Sequence, residues 1–138
     1  MCNKACRLAP LAALLLSISG PGFAGNLSAG IVQNDGTPVQ SAVVSVRLKG
    51  QAPAMAAAGT RATMTQSKQQ FSPYVLPIQT GTTVEFPNRD PFRHHVYSFA
   101  AAKTFELKLY DSSEAETMVF DKEGVIQLGC NIHDNMLA

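Results

Sequence analysis

Short apolar runs separated by clusters of turn residues extend along most of the chain. Several runs alternate apolar and polar positions, as in Ser45-Val46-Arg47-Leu48, which is the period of a half-buried β-strand. No convincing amphipathic helix lies between the runs. Strands are therefore predicted at residues 27–33, 42–48, 62–66, 74–79, 83–87, 94–99, 104–109, 117–120 and 125–128. Short strands at this spacing favour an all-β fold, an antiparallel sandwich of two packed sheets.

The connections between the runs carry their own signals. Asp35-Gly36, between the first two runs, is typical of a β-hairpin turn. Residues 49–60 are small and of low complexity, and Pro53 and Gly59 frame only a short Ala/Met run, so this segment is predicted to be a flexible loop. Gly81-Thr82 and Glu123-Gly124 mark two further tight turns.

The first 24 residues are predicted to be an export signal and not part of the fold. Lys4 and Arg7 precede an apolar stretch at 8–18, and Gly22-Phe23-Ala24 offers small residues before a cleavage point at Ala24–Gly25. The apolar stretch is short for a membrane span, although a retained N-terminal anchor is the alternative. The predicted organisation is a signal peptide at 1–24, a β segment and loop at 25–60, and a β-domain at 61–138.

Composition narrows the function classes. The chain has 138 residues, of which 46% are hydrophobic and 15% are charged, which fits one folded domain and excludes extensive disorder. Loss of Lys4 and Arg7 with the signal changes the formal charge from +1 to −1. A nucleic-acid partner is not expected, because it requires a basic surface. Cleavage also leaves one cysteine, which cannot form an internal disulfide.

That cysteine lies in the segment that carries the chemistry. Cys130, His133 and Met136 offer a thiolate, an imidazole and a thioether within seven residues, directly after a predicted strand. Soft sulfur ligands with imidazole suit copper, and two histidines with one cysteine and a distant axial methionine define a blue copper site. The second histidine would come from the pair His94-His95, which begins another predicted strand. No credible acid–base pair or catalytic triad accompanies the cluster, so an enzyme is not expected.

These motifs resemble those of the cupredoxins, the family of plastocyanin, amicyanin and azurin. The spacing from Cys130 to His133 to Met136 matches the short ligand loop of amicyanins, and Asn88 and Val96 flank His94 as in plastocyanin-like sequences. The runs at 70–73, 81–88, 94–99 and 129–134 are similar to exported bacterial proteins called methylamine utilization proteins. The resemblance covers about residues 60–138, and 27–48 is weakly similar to the carboxypeptidase-regulatory type of β-domain.

The resemblance implies a Greek-key sandwich that holds one type 1 copper ion. His94, Cys130 and His133 would be the ligands, with Met136 as the axial thioether. It further implies a monomeric periplasmic carrier that passes single electrons between a dehydrogenase or cytochrome and another redox partner, without membrane insertion after signal cleavage.

Several alternatives stay open at the level of sequence. Alignment favours His94 as the ligand, but His95 shares a strand face with Tyr97 and Phe99, which a core could prefer. Copper storage or delivery would use the same ligands, and a structural β-sandwich with a vestigial site would use none. Two residues follow Met136. The final strand is therefore expected to be missing, which would leave the ligand loop anchored only near Leu128. C-terminal truncation is the favoured explanation, and a loosely formed site is the alternative.

Overall fold

The computed structural model describes residues 26–138, so the predicted export signal and its cleavage point lie outside the described residues. Within this part the chain forms eight strands and no helix. Their bounds are β1 Arg61–Thr63, β2 Thr65–Ser67, β3 Gln70–Ser72, β4 Thr82–Pro87, β5 His94–Ala100, β6 Lys103–Tyr110, β7 Ala115–Phe120 and β8 Gly129–Cys130. Residues 26–138 contain no helix that is long and apolar enough to cross a membrane.

Two three-stranded sheets, β1-β4-β7 and β6-β5-β8, enclose the core, and β2 and β3 form a separate hairpin. All pairs are antiparallel except β1 with β4, which run parallel. The predicted all-β sandwich is therefore confirmed. Strand β5 is central to the second sheet, and its register places Val96 opposite Cys130 of β8. This pairing brings the beginning of β5 next to the C-terminal loop.

Strict alternation along β4 and β5 determines which side chains enter the core. Thr82, Val84 and Phe86 of β4 are buried, and the residues between them are partly exposed. On β5 the buried positions are His94, Val96 and Ser98. The other hydrophobic members of the core come from all parts of the fold: Met64, Phe71, Phe105, Leu107, Tyr110, Phe120, Leu128, Cys130 and Met136. His94 and Cys130 thus lie in the interior, together with the apolar core and a few buried polar residues.

Phe86 is expected to be among the most important residues for stability. Its side chain is fully buried, and its ring lies 6.1 Å from that of Phe105 and 6.5 Å from that of Phe120. Phe86→Ala should lower the free energy of unfolding by about 3–5 kcal/mol, because it leaves a cavity that the rigid sheets cannot close. Phe99→Ala is the matched control, since Phe99 is 80% exposed, and it should cost less than about 0.5 kcal/mol. Urea denaturation measures both, and equal losses would contradict this description of the core.

The predicted strands at 83–87, 94–99, 104–109 and 117–120 are confirmed with ends shifted by one or two residues. The run at 62–66 is divided at the buried Met64 between β1 and β2, which belong to different sheets. The short β3 was not predicted. It pairs with β2 through a turn whose central residues, Lys68 and Gln69, both have positive φ, although neither is the glycine or asparagine that signals such a turn.

The predictions for residues 27–33 and 42–48 as strands are wrong. Within residues 26–60 the only β-pairing is two isolated bridges. One joins Val32 to Pro38, and the other joins Met55 to Thr80 later in the chain. The Asp35-Gly36 turn does form, with Gly36 at φ 86° and a hydrogen bond from Gln33 N to Thr37 O of 2.8 Å. The valines of the second run are more than half exposed, so alternation without an opposing sheet did not produce a strand. Residues 49–60 form the predicted loop.

Residues 74–79 and 125–128 are also not strands. Pro77 removes a backbone donor from the first segment, which weakens any ladder there. Both segments line an apolar cavity of about 480 Å³ beside the core. In the second segment Leu128 exchanges two backbone hydrogen bonds with Ala138, of 2.8 and 3.1 Å, and the assigned strand β8 begins only at Gly129.

Candidate metal centre

The loop at 130–136 is closed by its own backbone. Cys130 N donates to Met136 O at 3.2 Å, and Met136 N donates to His133 O at 3.0 Å. Beyond the loop, Leu137 bridges Gly129, and Ala138 pairs with Leu128. The expectation that the loop would be anchored only near Leu128 is therefore wrong, because the residues after Met136 return antiparallel to the segment before Cys130. Both ends of the loop are fixed to the same point of the fold.

Three potential metal ligands come together at this loop, two from the loop itself and one from β5. Cys130 Sγ lies 3.5 Å from His94 Nδ1 and 3.8 Å from His133 Nδ1, and the ligand atoms of all three residues lie within 4.8 Å of one another. His94 and Cys130 are buried, and His133 is partly exposed. Among residues 26–138 this is the one group of three or more such side chains that could hold a metal ion.

The spacing of these atoms fits a trigonal metal site. Metal–nitrogen bonds of about 2.0 Å and a metal–sulfur bond of about 2.3 Å, set about 120° apart, would place nitrogen and sulfur about 3.7 Å from each other. The two observed separations of 3.5 and 3.8 Å lie on either side of that value. Cys130 is a free thiol, and one thiolate with two imidazoles is a donor set suited to copper. The two sulfur–nitrogen separations and the donor set therefore fit a copper site.

Of the two adjacent histidines, His94 faces the cluster. Its side chain is fully buried, whereas that of His95 is partly exposed and lies with Nε2 2.7 Å from Glu106 Oε1. Tyr97 and Phe99 share the outer face of β5 with His95, and Phe99 is 80% exposed, so the core does not take these aromatics. The backbone of His95 still contributes, because its carbonyl accepts a hydrogen bond from Asn131 N at 3.1 Å. That bond joins β5 to the ligand loop.

Met136 is 1% exposed and belongs to the hydrophobic core, while its backbone closes the loop. Hydrogen bonds with Cys130 and His133 fix its backbone three residues beyond His133, and its role as an axial thioether stays a prediction.

The far side of the His94 ring is held by a carboxylate. His94 Nε2 lies 2.9 Å from Asp90 Oδ2. Asp90 itself is only 6% exposed and accepts backbone hydrogen bonds from Lys68 N to Oδ1, at 2.6 Å, and from Gln69 N to Oδ2, at 3.0 Å. Burial acts to raise the pKa of Asp90, but the hydrogen bonds from Gln69, His94 and Lys68 outweigh it and hold the pKa below its ordinary value.

Asn88 organises the loop that carries Asp90. Its side-chain oxygen accepts a hydrogen bond from Asp90 N at 2.9 Å, and its side-chain nitrogen donates to Phe92 O at 2.7 Å. Asn88 is 2% exposed, so these bonds are shielded from water. The asparagine on which the sequence resemblance partly rests is thus a scaffold for the turn before His94.

Sequence reasoning missed Asp90. Within Pro87-Asn88-Arg89-Asp90-Pro91 it looks like an ordinary turn residue. The available signal was an aspartate four residues before His94, which is weak by itself because aspartate is common in turns. Its partners Lys68 and Gln69 lie on a hairpin that was not predicted, so its burial could not be deduced.

Phe92 covers the outer edge of the site. Its ring centroid lies 5.3 Å from those of both His94 and His133. Phe92 is 37% exposed, and Ile132, which precedes the partly exposed His133 in the sequence, is 45% exposed, so both leave apolar surface accessible in this part of the protein.

Fold and site together define a β-sandwich with a buried histidine–cysteine–histidine cluster at one end. No protein-family model and no curated protein sequence matches the chain. Solved structures do match. A methionine-to-glutamine variant of amicyanin in its Cu(I) form is 19% identical, with 58% of this chain and 79% of that chain covered and a TM-score of 0.52.

Two further structures extend this comparison. A methionine-to-alanine variant of amicyanin in its Cu(I) form is 20% identical, covers 64% of this chain and 90% of that one, and has a TM-score of 0.52. A purple cupredoxin from Nitrosopumilus maritimus is 24% identical over 56% of this chain and 93% of that one, with a TM-score of 0.48. The amicyanin superpositions show that this part of the chain has the fold of the cupredoxins.

Proposed function

We propose that the protein is a type 1 copper protein that carries single electrons between redox partners. The observation that carries this proposal is the cluster of His94 Nδ1, Cys130 Sγ and His133 Nδ1, which has the spacing of a trigonal copper site inside a cupredoxin-like fold. His94, Cys130 and His133 would hold one copper ion, and Met136 would be its axial ligand. Bound copper would supply a one-electron redox couple.

The role of the protein is to keep the ligands in place while the charge changes. Electron transfer is fast only when ligand positions barely move between the two oxidation states. Cys130 is fixed by β8 and by the bond to Met136 O, and His94 is fixed by β5 and Asp90. The apolar interior around Cys130 excludes water and so keeps the reorganisation of solvent small.

The partly exposed His133 is the proposed exit for electrons. It lies beside Phe92 and Ile132, which offer an apolar contact surface to a partner. The exposed Arg89 and Arg93 belong to the same turn as Phe92 and are interpreted mainly as solvated residues, with a docking role as the alternative. The proposed partners are a dehydrogenase or a cytochrome, met by a monomeric protein in the periplasm after export.

Repeated oxidation and reduction of the copper-loaded protein tests this function. An electron carrier is expected to keep one copper per chain in both states, because the same buried ligands serve both. Copper content after several cycles in the presence of a moderate Cu(I) chelator measures this. Release of the metal on reduction would contradict the proposal and would favour copper storage or delivery.

A further inference from the structure

Three groups form a continuous chain behind the proposed copper site. The amides of Lys68 and Gln69 bind the Asp90 carboxylate, and Asp90 Oδ2 binds His94 Nε2. His94 Nδ1, on the opposite side of the ring, faces Cys130 Sγ. These contacts thus connect the β2–β3 hairpin, which contains no proposed ligand, to the cluster of His94, Cys130 and His133.

The hairpin is shaped to hold an anion. Lys68 and Gln69, with φ of 54° and 59°, form the turn between β2 and β3, and their successive N–H groups both point at Asp90. Residues other than glycine are strained in this conformation unless the surroundings compensate. Here the compensating group is the Asp90 carboxylate, which accepts both N–H groups.

Asp90 then determines which nitrogen of His94 is free. An ionised carboxylate only accepts hydrogen bonds, so the proton on the His94 ring is placed at Nε2. Nδ1 keeps its lone pair, and it points at Cys130. In a fully buried ring the opposite arrangement would leave Asp90 facing an acceptor and would put a proton where a metal must bind.

We propose that Asp90, held by the amides of Lys68 and Gln69, is the positioning residue that presents His94 Nδ1 to the metal. This inference rests on the proposed copper function of the cluster. Asp90 does not touch the metal; it fixes the tautomer and orientation of a ligand and makes that imidazole a stronger donor. The β2–β3 hairpin therefore belongs to the functional site, although it lies outside the ligand-bearing segments.

Two measurements on Asp90→Ala test the proposal. In metal-free, ¹⁵N-labelled protein, the ring nitrogens of His94 report the tautomer directly, with His94→Gln used to assign the signals. Wild type should show the proton on Nε2, and Asp90→Ala should populate the Nδ1–H form. Its Cu(II) affinity should fall by about 10- to 100-fold. If Asp90→Ala weakens the binding of Cu(II) but not of Cu(I), the reduction potential should rise by about 59 mV for each tenfold loss of Cu(II) affinity.

Matched variants separate positioning from general damage. Asp35 also accepts a backbone and a side-chain hydrogen bond, both from Thr37, in an exposed turn, so Asp35→Asn should change neither the tautomer nor the affinity. Asp90→Asn keeps the size of the side chain but must turn an NH₂ group toward a donor or toward His94. Asp90→Asn should therefore have a Cu(II) affinity between those of wild type and Asp90→Ala, and it provides the test if Asp90→Ala does not fold.

The results that would overturn the role of Asp90 differ from those that would overturn the copper function. An unchanged Nε2–H tautomer together with unchanged Cu(II) affinity in folded Asp90→Ala or Asp90→Asn would overturn the role of Asp90 and leave copper binding intact. Absence of copper binding by the wild-type protein would overturn the copper function on which the role depends, whatever the tautomer.

Discussion

Replacing Cys130 with serine is expected to lower the affinity for Cu(II) by more than about 100-fold, which is the upper end of the effect of losing an outer-shell partner. Cys130 Sγ is the atom shared by both short separations in the cluster, 3.5 Å to His94 and 3.8 Å to His133. Serine keeps the shape, but its hydroxyl stays protonated at neutral pH and is a hard donor, which copper does not favour. Competition titration against a chelator of known affinity measures the change.

Thermal unfolding provides the control for this variant. Cys130 is buried, so serine alone is expected to destabilise the metal-free protein by about 1–3 kcal/mol. The informative quantity is the difference with and without copper. At a copper concentration of about 1,000 times the wild-type Kd the wild type should gain about 4 kcal/mol, and Cys130→Ser, with an affinity lower by more than about 100-fold, should gain less than about 1.4 kcal/mol. Equal gains in both proteins would contradict the role of Cys130.

Replacing each of the two neighbouring histidines with glutamine gives the second prediction with a large expected effect. His94→Gln should abolish stoichiometric copper binding, because the fully buried His94 ring is the one that reaches Cys130. His95→Gln should retain it, since His95 faces outward and its contribution to the ligand loop comes from its backbone carbonyl. The two variants lose the same functional group at adjacent positions, so each is a control for the other.

Metal analysis after gel filtration distinguishes the outcomes. Copper retained by His94→Gln and lost by His95→Gln would reverse the assignment of the two faces of β5. If both variants lose copper while their circular dichroism spectra match that of the folded wild type, the ligand loop requires the His95 side chain as well.

The strands that carry the site could be predicted because their local pattern and their tertiary environment agree. Val84 and Phe86 alternate with polar residues and do enter a core. Val46 and Leu48 alternate with polar residues in the same way, yet no sheet covers them and they stay exposed. Sequence periodicity reports the side chains that a sheet could bury, and it cannot report whether an opposing surface exists.

The candidate site shows the same division between local and distant information. Cys130, His133 and Met136 could be proposed together because they share one loop, and His94 because of its spacing from Asn88. The choice between His94 and His95 required the pairing of Val96 with Cys130, which sets the inner face of β5. Asp90 required a contact with Lys68 and Gln69, more than 20 residues away in a hairpin formed by two strands of three residues.

The visible absorption spectrum of the wild-type protein loaded with one equivalent of Cu(II) tests the central claim most directly. A thiolate and two imidazoles in a trigonal arrangement predict an intense charge-transfer band from Cys130 to copper, which disappears on reduction and is absent from Cys130→Ser. A tightly bound but colourless Cu(II) complex would contradict the claim that His94, Cys130 and His133 form a type 1 copper site.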